Sequence, residues 1–112
     1  MRPAVFHPKA RQAIRSFPRQ ARRELGEAIF QIQLGNFPSM PLCRPMPVVG
    51  AGVSELRVRD SSGIFRAFLL AKYEHGVLVF HAFQKKTAKT PAYEIEVGIK
   101  RLREMLKAGN VP

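Results

Sequence analysis

Hydrophobic residues recur at helical spacing in the first third of the chain. A first segment begins at His7-Pro8, where proline suits the first turn of a helix, and ends before Pro18. In a second segment four apolar side chains follow the i, i+3, i+4, i+7 spacing of an amphipathic helix: Leu25, Ala28, Ile29 and Ile32. The pattern predicts a helical hairpin over residues 8–34, and residues 3–6 before it fit a short strand.

The second half of the chain carries three strand signals and a last helix. Residues 54–59 alternate, residues 64–72 form a near-continuous apolar run, and residues 77–83 are β-branched and aromatic. Two hairpin-sized turns separate them, which predicts an antiparallel meander of three strands. Thr90 at an N-cap and an apolar stripe after it predict a helix over residues 91–108.

Turn lengths predict the register of the meander. A four-residue loop at 60–63 places Arg57 opposite Arg66 and Glu55 opposite Phe68. A two-residue turn at 75–76 places Arg66 opposite Lys85, whereas a three-residue loop at 74–76 would need a bulge to restore the phase.

This register predicts one apolar and one cationic face. The apolar face, expected to be the core covered by helices, carries Leu56, Val58, Phe65, Ala67, Leu69, Ala71, Leu78, Phe80 and Ala82. The other face, expected to be open, carries Glu55, Arg57, Arg59, Arg66, Phe68, His81, Phe83 and Lys85. Cations interleaved with aromatic rings on an open sheet suit single-stranded nucleic acid, because cations bind phosphates and rings stack on bases.

Length, charge and cysteine usage narrow the function classes. The 112 residues, interrupted only by a proline-rich but partly apolar connection over 36–53, predict one domain, 1–112. Nineteen Lys and Arg against eight Asp and Glu give a net charge of +11, which favours a polyanionic partner. Cys43 alone builds neither an internal disulfide nor a zinc site, and no signal peptide or membrane-spanning run is evident. A cytoplasmic protein without metal or cofactor is the expectation.

Several segments of the chain carry a family resemblance. Residues 52–66, with Glu-Leu-Arg and a second arginine, and residues 81–87, His-Ala-Phe-Gln-Lys-Lys-Thr, are its main motifs, supported by Thr90-Pro91, Phe17-Pro18 and residues 34–38. Together they resemble the phage-derived, HigB-like branch of the RelE/ParE toxin superfamily. The resemblance implies an α+β fold, with helices on one face of a small antiparallel sheet, and a type II toxin neutralised by a helix-turn-helix antitoxin.

The resemblance also implies a chemistry. Many superfamily members are endoribonucleases that inhibit translation by cutting mRNA on the ribosome, without metal, through attack of the ribose 2′-hydroxyl on the adjacent phosphate. Such a reaction needs a base, cations that stabilise the phosphorane and an acid for the leaving oxygen. The catalytic candidates are Arg57, Arg66 and Lys85 as cations and Glu55 or His81 as the base. The RNA-binding candidates are Arg59, Phe68, Phe83, Lys86 and Lys89.

One departure from the family keeps other functions open. Many superfamily nucleases end in a segment that supplies a catalytic Tyr or His, and residues 109–112 contain neither. A non-enzymatic gyrase inhibitor of the ParE type, acting through the hairpin at 8–34, is one alternative. A non-catalytic or decayed nucleic-acid-binding module is the other.

Overall fold

Three helices and a five-stranded mixed sheet make up the fold. The computed structural model describes residues 1–85 and 89–109. The elements are β1 (Ala4–Phe6), α1 (Pro8–Ser16), α2 (Arg19–Gln33), β2 (Cys43–Pro45), β3 (Val53–Asp60), β4 (Gly63–Tyr73), β5 (Gly76–Lys85) and α3 (Ala92–Gly109). Strand order is β1-β5-β4-β3-β2. The predicted α+β class, the helical hairpin and the three-strand meander are confirmed.

The N-terminal edge strand makes the sheet mixed, so the expected antiparallel pairing holds only among the other four strands. The N-terminal strand β1 pairs with β5 in parallel, because the chain crosses from one to the other through α1, α2 and the meander. Strand β2 pairs with β3 antiparallel over three residues. Sequence patterning did not predict β2, since it is a three-residue strand inside the proline-rich connection.

Strands β3 and β4 pair as predicted. Arg59 lies opposite Ile64, Arg57 opposite Arg66 and Glu55 opposite Phe68. The loop length fixes this register because each strand continues from the turn without a bulge.

The predicted register of β4 with β5 is wrong. Arg66 lies opposite Phe83, and it is Ile64 that faces Lys85. The turn consists of residues 74–75, and the register shifts twice along the hairpin, once between Phe68 and Leu69. There the strand β5 contains one residue more than β4, namely Phe80. A bulge of this kind reverses the alternation of side chains beyond it.

The bulge divides the residues of β5 between two cores. The hairpin of α1 and α2 packs on one sheet face, where the buried strand residues are Leu56, Val58, Phe65, Ala67, Leu69, Ala71, Val77, Val79 and Ala82. Leu78 and Phe80, expected on this face, instead belong to the cluster on the opposite face. Cys43 lies in the first core, and its burial raises the pKa of the thiol.

Helix α3 covers the second face, which the sequence predicted to be open. Leu102 packs there with Phe68, Phe80 and Phe83. Gly98 allows the close approach, since a Cβ at this position would lie 2.7 Å from Cδ2 of Phe68. The expectation of helices on one face only is therefore wrong. The physical reason is that the apolar stripe of α3 needs a partner surface, which the bulge supplies by turning Leu78 and Phe80 towards it.

The start of α3 also differs from the prediction. The Pro91 carbonyl accepts hydrogen bonds from the backbone N–H groups of Glu94 and Ile95, at 3.1 and 3.3 Å. The helix thus begins after Pro91, and Thr90 is one residue too early to be its N-cap. The hydroxyl of Thr90 donates a hydrogen bond to Glu55 instead. Neither α3 nor any other helix among the described residues is long and apolar enough to cross a membrane.

Candidate functional site

A buried carboxylate organises the charged residues of β2, β3 and β4. Glu55 is fully buried, and its Oε1 accepts hydrogen bonds from Nη1 of Arg66 at 2.6 Å and from Nε of Arg44 at 3.1 Å. Its Oε2 accepts one from the hydroxyl of Thr90 at 3.1 Å. Charge-assisted hydrogen bonds of this kind are about twice as strong as neutral ones. Both carboxylate oxygens of Glu55 therefore accept hydrogen bonds, and the bond to Oε1 fixes the position of the Arg66 guanidinium.

Lys85 adds a cation without a counterion. Only 4% of this residue is exposed, and among the described residues its Nζ has no hydrogen-bond partner. Burial, assisted by the charge of Arg66, lowers the pKa of Lys85 to about 8, while Glu55 opposes the shift. We refer to Arg44, Glu55, Arg66, Lys85 and Thr90 as the charge cluster. It holds three basic side chains against one carboxylate, so it attracts anions.

Arg57 and Arg59 connect this cluster to the surface. Arg57 lies opposite Arg66 in the sheet and is half-buried, and Arg59 is exposed. Both line a groove of about 570 Å³ between α2, β3 and the segment that follows α2. The two arginines can therefore contact a ligand directly, whereas the buried Arg66 can attract it only through its charge.

His81 belongs to a separate network under α3. Arg101 Nη1 donates to Nδ1 of His81 at 2.8 Å, since a guanidinium only donates. The Nε2 of His81 then carries the proton and donates to Glu94 Oε1 at 2.8 Å. Burial lowers the pKa of His81, with the nearby Arg101 charge acting in the same direction and Glu94 opposing both. The imidazole is neutral, and both ring nitrogens are bonded to α3.

The two phenylalanines predicted to stack on bases lie in the second core. Phe68 is fully buried and Phe83 is 7% exposed. Their rings meet edge to face with centroids 5.4 Å apart, and His81 stacks on Phe83 at 5.0 Å. The prediction of an open face for base stacking is wrong, because both rings are buried in the core that α3 covers.

A comparison with known protein families decides which family the chain represents. Residues 12–103 match the family described as phage-derived protein Gp49-like (DUF891). The chain belongs to this family. The Gp49-like proteins are a RelE-like toxin family, so membership is consistent with the toxin of a toxin–antitoxin pair and implies an antitoxin partner. No curated protein matches the chain.

Two RNA-binding candidates of this Gp49-like protein remain, Lys86 and Lys89. Lys89 is exposed and precedes Thr90. Lys86 lies outside the described residues. Within residues 1–85 and 89–109, no group of three or more His, Cys, Asp or Glu side chains could hold a metal ion.

Sequence reasoning missed two parts of the site. Arg44 was overlooked because β2 carries no periodic pattern, although its place in an apolar connection was a signal. The groove was missed because it joins α2 to β3, which are distant in sequence. An exposed aromatic residue between Asn36 and Pro38, Phe37, was the available hint, and it is 50% exposed.

Proposed function

We propose that this Gp49-like protein is the toxin of a type II toxin–antitoxin pair and that it cleaves mRNA on the ribosome without a metal ion. The observation that carries the proposal is the surplus of positive charge in the charge cluster, where the buried Lys85 has no hydrogen-bond partner among the described residues. A buried cation without a counterion destabilises a fold, so its presence is best explained by an anionic ligand or transition state.

The proposed reaction uses the substrate's own hydroxyl group. The ribose 2′-oxygen attacks the adjacent phosphorus, the bond from phosphorus to the 5′-oxygen breaks, and a 2′,3′-cyclic phosphate and a 5′-hydroxyl result. Negative charge builds up on the phosphorane oxygens, and preorganised cations stabilise it. Arg57 and Arg59 contact the phosphate from the groove, while Arg66 and Lys85 add positive potential from below.

The reaction also needs a group that accepts the 2′ proton. Of the two candidates, Glu55 is the better placed, because it lies inside the charge cluster while His81 is bonded to α3 through both nitrogens. Among the described residues, the uncharged donor to Glu55 is the Thr90 hydroxyl. Its replacement by the substrate 2′-hydroxyl would give Oε2 access to the proton.

The proposal includes a partner and a location. A helix-turn-helix antitoxin neutralises the toxin in the cytoplasm, and an acidic surface on that antitoxin would complement the net charge of +11. Release of the antitoxin frees the protein to bind ribosomes.

Expression of the wild type and of Lys85→Met in growing cells tests the proposal. The wild type should arrest growth and generate new mRNA 5′ ends, and Lys85→Met should lose most of this cleavage because the surplus charge is gone. Lys72→Met, which removes an exposed lysine from the same sheet, is the matched control and should cleave like the wild type. Growth arrest with intact mRNA would contradict the endonuclease.

One observation favours a second function. Phe30 and Leu34 are spaced four residues apart at the end of α2 and are 42% and 48% exposed. Neighbouring apolar side chains on an exposed helix suit contact with a protein, as a gyrase inhibitor of the ParE type would require. Growth arrest with DNA-damage signalling and intact mRNA would favour it. Binding of RNA without toxicity would indicate a non-catalytic module.

A further inference from the structure

The groove between α2 and β3 has walls of opposite charge. Glu24 and Glu27 line it from α2, and Arg57 and Arg59 line it from β3. Over the part of the chain that the structure describes, no ion pair within 4.0 Å joins these two walls. Within the same described residues, the hydrogen bonds that the two carboxylates accept come from glutamines of their own helix. The walls are therefore separated and available to a ligand that carries donors on one side and an anion on the other.

The floor and rim of the groove suit a flat ring. Val58 and Leu42 contribute apolar surface, and the Phe37 ring at the rim is 50% exposed. An exposed phenylalanine beside arginines is a common platform for the stacking of an unpaired base. The volume of about 570 Å³ lies within the range of small-molecule sites, about 300 to 1,000 Å³.

We propose that this groove binds one nucleotide of single-stranded RNA and selects guanine. A nucleotide combines N–H donors for the acidic wall, a phosphate for the arginines and an apolar ring for Phe37. Among the four bases, guanine has two adjacent N–H donors, at N1 and N2, that match the two oxygens of one carboxylate. The inference rests on the proposed function, because Arg57 belongs to the groove and lies opposite Arg66 of the charge cluster.

Glu27 is the carboxylate that reads the base. Nε2 of Gln31 donates to Glu27 Oε1 at 3.2 Å, and Nδ2 of Asn36 donates to Gln31 Oε1 at 3.1 Å. This chain of amides runs along the groove lining and holds the Glu27 side chain in place. Glu24 accepts a hydrogen bond from Gln20, which does not line the groove. Glu74, an exposed carboxylate in the turn between β4 and β5, does not line the groove and is the matched control.

Equilibrium binding to the purified full chain tests the inference independently of cleavage. The probes are the four ribonucleoside 5′-monophosphates at one fixed salt concentration. GMP should bind roughly tenfold more tightly than AMP, CMP or UMP, the size of discrimination that one bidentate base contact gives. Glu27→Gln should reduce this preference to below about threefold, because an amide offers one acceptor instead of two, whereas Glu74→Gln should retain it.

Cleavage maps in cells separate this inference from the proposed function. If wild-type cleavage sites carry guanine at one fixed position and Glu27→Gln cleaves without that preference, both stand. If the wild type cleaves no mRNA but still prefers GMP, the proposed function fails and the groove assignment stands. Equal affinity for all four nucleotides would overturn the inference, as would a Glu74→Gln variant that loses the preference to the same extent as Glu27→Gln. The inference is also overturned if the protein binds none of the four nucleotides and a protein segment is found to occupy the groove instead.

Discussion

The surroundings of Lys85 disfavour the positive charge of its side chain. Its pKa falls from the usual 10.5 to about 8, mainly through burial. Between these pH values the unfolded chain holds a proton that the folded protein has lost. Stability therefore rises with pH across this window, because the unfolded state binds more protons. Below about pH 8 the penalty of the buried ammonium is present in full.

Lys85→Met should remove this penalty and its pH dependence. We expect the variant to exceed the wild type in free energy of unfolding by about 1 to 3 kcal/mol at pH 7, with the gap closing towards pH 10.5. Urea denaturation of both proteins between pH 7 and 10.5 measures it. Ionisation of the Cys43 thiol destabilises both proteins alike at high pH and cancels in the difference. Parallel stability curves for the two proteins would refute the assignment.

Arg66 stabilises the fold as well as serving the proposed site. It is fully buried and bonded to a fully buried Glu55. Arg66→Ala should cost about 3 to 5 kcal/mol of unfolding free energy, because it leaves a buried carboxylate with fewer partners. Combining Arg66→Met with Glu55→Gln should recover much of that loss, and Arg59→Ala at the surface should change stability by about 0.5 kcal/mol or less. Denaturant unfolding compares them, and a neutral Arg66→Ala would show that the ion pair adds little.

Residues of the site differ in how far the sequence could place them. The pairing of Arg57 with Arg66 was predictable, because a short loop fixes the register of the two strands that it joins. The burial of Phe68 and Lys85 was not, since it depends on where α3 packs and no local pattern contains that information. The contact of Arg44 with Glu55 was hidden for the same reason, as β2 forms only through pairing with β3.

At the scale of elements, α3 and the bulge in β5 determine each other. The apolar stripe of α3 was readable from its spacing, but its binding surface was not. That surface exists because the extra residue Phe80 turns β5 so that Leu78 and Phe80 face α3. The position of a bulge cannot be recognised within a run of apolar residues. The sequence therefore predicted that β4 and β5 exist, but not the register in which they pair.

Two glycines in helices should respond oppositely to alanine. A Cβ at Gly98 in α3 would lie 2.7 Å from the Phe68 ring, whereas one at Gly26 in α2 meets nothing within 4 Å. Gly98→Ala should therefore destabilise the protein by roughly 1 to 3 kcal/mol through overpacking. Gly26→Ala should stabilise it by up to about 1 kcal/mol through helix propensity. Thermal unfolding measures both, and a stabilising Gly98→Ala would mean that α3 packs less closely than described.

On the whole molecule, the charge of +11 is distributed over more than one surface. Arg22 is exposed on α2, and Arg59 is exposed at the groove. The two arginines are equal in charge and in exposure class but differ in location. General attraction to a polyanion would depend equally on Arg22 and Arg59, whereas RNA binding at the groove would depend on Arg59 alone.

Arg59→Glu and Arg22→Glu change the net charge by the same amount and so separate the two cases. If the groove contacts RNA, Arg59→Glu should reduce mRNA cleavage at least tenfold, and Arg22→Glu should reduce it by no more than about threefold through weaker steering. Mapping of mRNA 5′ ends after equal expression is the measurement. The reverse ranking would place the RNA-binding surface on the α1–α2 hairpin instead of the groove.

The two edge strands have a consequence for the protein at high concentration. Both β1 and β2 are three residues long, and prolines stand at or beside them, at positions 3, 8, 45 and 47. Proline cannot donate a backbone hydrogen bond, and so neither edge can be extended far by a strand from another molecule. Where they pair, at residues 77–79 of β5 and 54–56 of β3, the two edge strands shield the longer strands from intermolecular pairing. A chain that accumulates faster than its partner would thus resist the growth of fibrils from its own sheet.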